Sequence, residues 1–372
     1  MNLTNVDGKS EKGERLPWLD GLRGWGAIFV LLFHVFCEGF PLTPESGSLL
    51  PRLLPFSGLY AVLVFFVVSG ISLSYGYFRT RKVEVLIAAA GARYLRLAIP
   101  IFVVAVAVHL VMIAGLQSSS AEKIPPFSNA LNFQSTTENV FRFSFLDVFV
   151  NYDPKRTYAG PMWTMSIELI GSFILFSVLL IASRSAYYLP IILIVALAMM
   201  LSTNEVHRFY SLFLFGAGIA ALIQKGYLNC ISPWMFAALL TSGTLAPMLL
   251  PPGYDVWNIA ATIALTLGCI GIKPVNRFLS CDLSIFLGKI SFPLYLVHGP
   301  VLVLVGEPLV RHLGQTVEAR FAVDIGICVL SLLAALPMMS VNNLAMRISR
   351  VFGQSAVYGY NCTRTRLALR RN

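Results

Sequence analysis

Apolar residues along this chain gather into long runs, each close to 20 residues and each closed by charged, Pro- or Gly-bearing stretches. A helix rises about 1.5 Å per residue, so about 20 apolar residues cross the roughly 30 Å hydrocarbon core of a bilayer. Ten such runs are predicted, at 22–40, 58–78, 95–116, 161–183, 187–203, 209–224, 231–250, 255–272, 290–306 and 321–341. The alternating segments of about ten residues that mark a transmembrane β-barrel are not seen. The pattern therefore predicts an all-α, polytopic helical membrane protein with about ten transmembrane helices.

One membrane domain, 16–344, accounts for these runs, with a polar tail 1–15 before it and a basic tail 345–372 after it. An even number of spans puts both tails on one side. With that side cytoplasmic, roughly 20 of the 28 Lys and Arg residues lie inside, as the positive-inside rule requires. The reverse orientation leaves only about 8 inside. The expectation is a multi-pass protein of the plasma (inner) membrane with cytoplasmic termini. The first run is too long for the apolar core of a cleaved signal peptide. Only the connection 117–160 is long, and it falls on the expected outer face. Connections of that length are uncommon and often functional. It reads as a lid or acceptor-binding surface, or as a plain connector.

Composition supports the pattern: hydrophobic residues are 56% and charged residues 12%, against about 25% charged in soluble domains. The net charge of +10 raises the question of nucleic acid. The basic residues sit at span ends, however, where they serve as topology signals and as contacts with anionic lipid. No nucleic-acid partner is expected. The six cysteines show no CxxC pair and no metal spacing, so no metal is expected.

The polar residues inside the runs carry the candidate chemistry, because ionisable groups are costly in a membrane. In the first run, Arg23, Ala27, Leu31, His34 and Glu38 fall along one helical stripe. Imidazole is the side chain best suited to moving a proton near neutral pH. His34 reads as such a base, or as a histidine bonded to a neighbouring helix. Arg93 and Arg96, at i and i+3, aim two guanidiniums one way at the mouth of the third span. Such forks suit phosphate oxygens or lipid headgroups. Ser69, beside Gly70 in the second run, has no base near it in sequence and reads as packing. Glu168, five residues after Trp163, needs a partner; it orients His34, holds an acceptor hydroxyl or pairs with an arginine. Tyr295 and His298 share a face of the ninth run and read as substrate contacts or as structural groups.

These stretches, in this order, resemble the membrane acyltransferase 3 family, whose members include O-acetyltransferases of surface polysaccharides and nodulation factors. Asp20-Gly-Leu-Arg23 followed by ten residues and His34 is similar to the family's first-helix signature. Phe65-Phe-Val-Val-Ser-Gly70, Arg93-x-x-Arg96 and Ile290-Ser-Phe-Pro-Leu-Tyr-Leu-Val-His298 resemble three further motifs, with Phe292 in place of the usual tyrosine. Trp163 to Glu168 is similar to a motif in the middle of the family. The resemblance implies transfer of an acyl group, commonly acetyl from acetyl-CoA, to a hydroxyl of a glycan or related acceptor. It implies that His34 is catalytic and that Arg23, Arg93 and Arg96 are essential, the arginine pair gripping the acyl-CoA donor. Some relatives carry an extra extracytoplasmic hydrolase-like domain. In a chain of this length the acceptor is handled by the membrane domain or by a partner protein, and an acyl-carrying protein is a further candidate partner.

Joined to the residue reading, this gives His34 as general base or acyl carrier, with Glu168 or Glu38 orienting it. Glu38, Ser69, Trp163, Tyr295 and His298 remain as candidate substrate contacts. The competing expectation is a proton-coupled transporter with Arg23, His34 and Glu38 lining the path. Against it stands the lack of the internal repeat common in transporters.

Overall fold

The computed structural model describes residues 16–118, 123–183 and 185–369, without the side chains of 367–369. The expected tail 1–15, Arg184, four residues of the long connection (119–122) and the last three residues lie outside the described residues. Among those described, every regular element is helical. The principal helices are α1 (Pro17–Phe33), α2 (Gly58–Thr80), α3 (Val83–Ile113), α4 (Thr164–Ala182) and α5 (Tyr188–Met200). They continue with α6 (Glu205–Gln224), α7 (Pro233–Leu249), α8 (Val256–Gly271), α9 (Asp282–Val301) and α10 (Val317–Leu369).

Each of the ten apolar runs falls in one of these helices. Among the described residues seven spans are long and apolar enough to cross a membrane, and an eighth is reached if α8 and the sharply bent helix Lys273–Leu279 count as one. The expected count of about ten is not reached by length. Helices α5 and α7 have 13 and 17 residues, about 20 and 26 Å of rise, short of a full hydrocarbon core. The multi-pass character stands.

Two helices overrun their expected limits. Helix α3 starts at Val83 rather than near 95, because the stretch after Lys82 is rich in Ala, Leu and Arg, which favour helix. Arg93 therefore lies about 15 Å along the helix, well inside it rather than at its mouth. Helix α10 runs on to Leu369, so the residues after Leu344 continue the last span as one rod.

Helix pairs build the bundle: α1 packs on α9 running the same way, while α2 on α6, α3 on α10 and α7 on α8 run in opposite directions. Glycine permits a close crossing of α2 and α6. A Cβ on Gly70 would stand 2.1 Å from the Phe213 carbonyl oxygen, and one on Gly216 would stand 2.3 Å from that of Val67, so α2 and α6 touch backbone to backbone. Two apolar clusters result. One centres on α2 and α6, and the other joins the far half of α1 to α3, α9 and α10. The polar centre lies between them.

Candidate active site

Helix α1 changes character at His34. Residues His34–Gly39 wind as a π-helix, and a second π turn, Leu302–Gly306, follows α9. Such turns are rare and often mark functional sites. The first brings the Glu38 carboxylate onto Nδ1 of His34 in a short hydrogen bond. A carboxylate accepts only, so Nδ1 carries a proton, and in the neutral ring the lone pair sits on Nε2. Glu38 is half exposed, which opens this pair to the end of the bundle where α1 finishes.

His298 of α9 lies flat beside His34, ring centroids 5.2 Å apart and planes 28° from parallel. Its Nδ1 donates to the Leu294 carbonyl at 3.1 Å. Its buried Nε2 has no hydrogen-bond partner among the described residues. One turn earlier, Tyr295 donates to the Pro161 carbonyl at 2.7 Å and meets the Thr164 hydroxyl at 2.6 Å. Tyr295 thus ties α9 to the entry of α4.

Below Tyr295 a cavity of about 700 Å³ opens. It is lined by Arg23, Ser69, Arg93, Arg96, Glu168 and Tyr295, all expected from sequence, and by Lys289 and Arg350. Arg93 is buried, and its guanidinium donates to Glu168 and, at 2.8 Å, to the Ser172 hydroxyl. Ser69 donates to the same Glu168 oxygen at 2.7 Å. Arg23 stands 3.7 Å from Asp20. Arg96, Lys289 and Arg350 have no ion pair among the described residues. Five cations thus meet two carboxylates, Asp20 and Glu168, an imbalance that favours anionic occupants.

Some expected placements are corrected. Of the readings for Glu168 the arginine pair is the one observed: Arg93 and Ser69 occupy its carboxylate, and Glu38, rather than Glu168, is the acid at His34. Trp163 lies outside the cavity, with its ring against Phe209 and Tyr254 at 5.7 and 5.8 Å, so it packs α4 onto α6. His34, Glu38 and His298 do not line the cavity, which ends at Phe65, Met165 and Tyr295. The histidine pair stands about 5 Å beyond Tyr295 along α9. Sequence reading missed Lys289, Arg350 and the π turns. The i, i+3 spacing of Arg347 and Arg350 repeats that of Arg93 and Arg96, but lies past the expected end of the last span.

A multi-pass helical membrane protein with a histidine–carboxylate pair beside a cationic chamber defines the class. The chain belongs to the acyltransferase 3 family: the sequence profile described as "Acyltransferase domain" matches residues 16–340. It is similar to the O-acetyltransferase PaAT-1 of Phomopsis amygdali, with 25% identity over 390 residues, covering 83% of this chain and 78% of that protein. No solved structure matches. The chain is therefore a membrane acyltransferase, acting on groups other than aminoacyl groups.

Proposed function

We propose that this enzyme moves an acyl group, acetyl in the first instance, from acyl-CoA to a hydroxyl of a glycan or related acceptor. The observation that carries the proposal is the pairing of an excess-cation cavity with a tautomer-fixed histidine one turn beyond its end. Arg23, Arg93 and Arg96 hold donor phosphates, with Lys289 and Arg350 at the same mouth. Guanidinium forks match phosphate oxygens two at a time. The basic end of the bundle faces the cytoplasm, where the donor is supplied, and both termini lie there, in the plasma membrane.

His34 Nε2 takes the proton of the acceptor hydroxyl while that oxygen attacks the thioester carbonyl. Glu38 holds the imidazole in its useful tautomer and balances the imidazolium, as the carboxylate does in a hydrolase triad. The carbon–sulfur bond breaks, and the CoA thiolate leaves with the proton that His34 returns. Tyr295 and Phe65 must give way for the thioester to reach His34. A narrow pantetheine arm passes such an opening more readily than a nucleotide.

The test is acyl transfer by purified, folded His34→Ala protein. Loss of transfer with CoA still stabilising the protein against heat supports the assignment. Retained transfer refutes it.

A further inference from the structure

The connection between α3 and α4 encloses a second cavity, of about 530 Å³, which shares no lining residue with the first. Its walls carry four side-chain amides, three cations and two carboxylates, against Phe133, Phe143 and Tyr158. Binding pockets of this size usually have mostly apolar linings. Here nearly every group offers or accepts a hydrogen bond. The charges almost cancel, and Arg142 is turned onto Asp147 at 3.2 Å. A phosphate would meet Asp147 and Asp153, and an apolar ligand would strand the amides. A neutral polyhydroxylated ligand suits the lining, because each hydroxyl both donates and accepts.

The wall of this cavity is pinned. The Tyr158 hydroxyl lies 2.8 Å from the Ser135 hydroxyl, which lies 2.6 Å from Nδ1 of His109 on α3. The Tyr158 ring stands edge-on to Phe133 and Phe143, with centroids 5.1 and 5.3 Å away. The next residues, Ala159 and Gly160, press against Gly299, the neighbour of His298; a Cβ on Gly299 would be 2.8 Å from the Ala159 carbonyl oxygen. One short segment, 158–160, thus borders the cavity at one end and the histidine pair at the other.

We propose that this cavity binds the sugar portion of the acceptor and presents a hydroxyl toward His34 and His298. This rests on the acyl-transfer reading above. The test uses the full chain, purified in a detergent without a sugar headgroup, and a panel of methyl glycosides as probes. At least one glycoside should raise the unfolding temperature. Its apparent affinity should fall about tenfold in Asn151→Ala and in Arg156→Ala, as expected for a lost polar contact, and should be unchanged in Arg96→Ala. CoA should show the opposite dependence. The proposal is overturned if no glycoside stabilises the protein, if the response survives both substitutions, or if cyclohexanol stabilises equally. A glycoside response that behaves as expected beside an absent CoA response overturns the donor reading and leaves this site standing.

Discussion

His34 and His298 face each other ring to ring, although one lies near the start of the chain and the other in its ninth apolar helix. Each Nδ1 is held, by Glu38 in one case and by the Leu294 carbonyl in the other. Among the described residues neither Nε2 atom has a hydrogen-bond partner. Replacing Glu38 by Gln removes the carboxylate that fixes the His34 tautomer. We expect kcat to fall by about 10²- to 10⁴-fold with CoA affinity unchanged, read from steady-state transfer assays beside CoA thermal shifts.

The Arg93–Glu168 pair is a separate case, because both partners are largely removed from solvent. Breaking such a pair strands one charge at a cost of about 3–5 kcal/mol, whereas removing both groups is far milder. Glu168→Gln should therefore lower the unfolding temperature more than the double change Arg93→Met with Glu168→Leu. Thermal unfolding in detergent decides the order.

Tyr295 closes the cavity below the histidines. Tyr295→Trp enlarges that closure. Transfer should fall at least tenfold while CoA still stabilises the protein, a combination that loss of donor binding does not produce. Arg350→Ala should do the reverse, weakening the CoA response and sparing the chemistry at saturating donor; titration of both variants separates the two.

Two glycines in one short stretch predict unequal costs. A Cβ on Gly24 would meet the backbone of Leu287 and Gly288 at 2.5–2.6 Å, whereas one on Gly26 would meet only the Phe65 ring edge at 3.3 Å. Gly24→Ala should cost about 1–3 kcal/mol by forcing α1 from α9. Gly26→Ala should cost clearly less. Comparison of their unfolding temperatures checks this.

The helical architecture was legible because apolar runs of membrane length have few other solutions. The cationic cavity was half legible: the spacing of Arg93 and Arg96 placed them on one face, and both line it. An arginine partner for Glu168 was among the readings, but not which arginine, because a carboxylate on α4 finds Arg93 on α3 only through packing. Nor were the π turns, since His34 to Gly39 carries no residue signal distinct from a helix. Arg350 escaped notice because the apolar run stops before it while the helix does not.

That continuation of α10 has a mechanical result. Arg350 sits on the same uninterrupted rod as the turns that follow it, and Gly91 of α3 meets this rod at Gly353 and Ala356. Three of the cavity's guanidiniums, on Arg93, Arg96 and Arg350, thus ride on a single two-helix strut. The strut is tied again at its far end, where Arg364 stands 3.9 Å from Glu84 in the first turn of α3, so the cavity's basic wall is braced well outside the cavity itself.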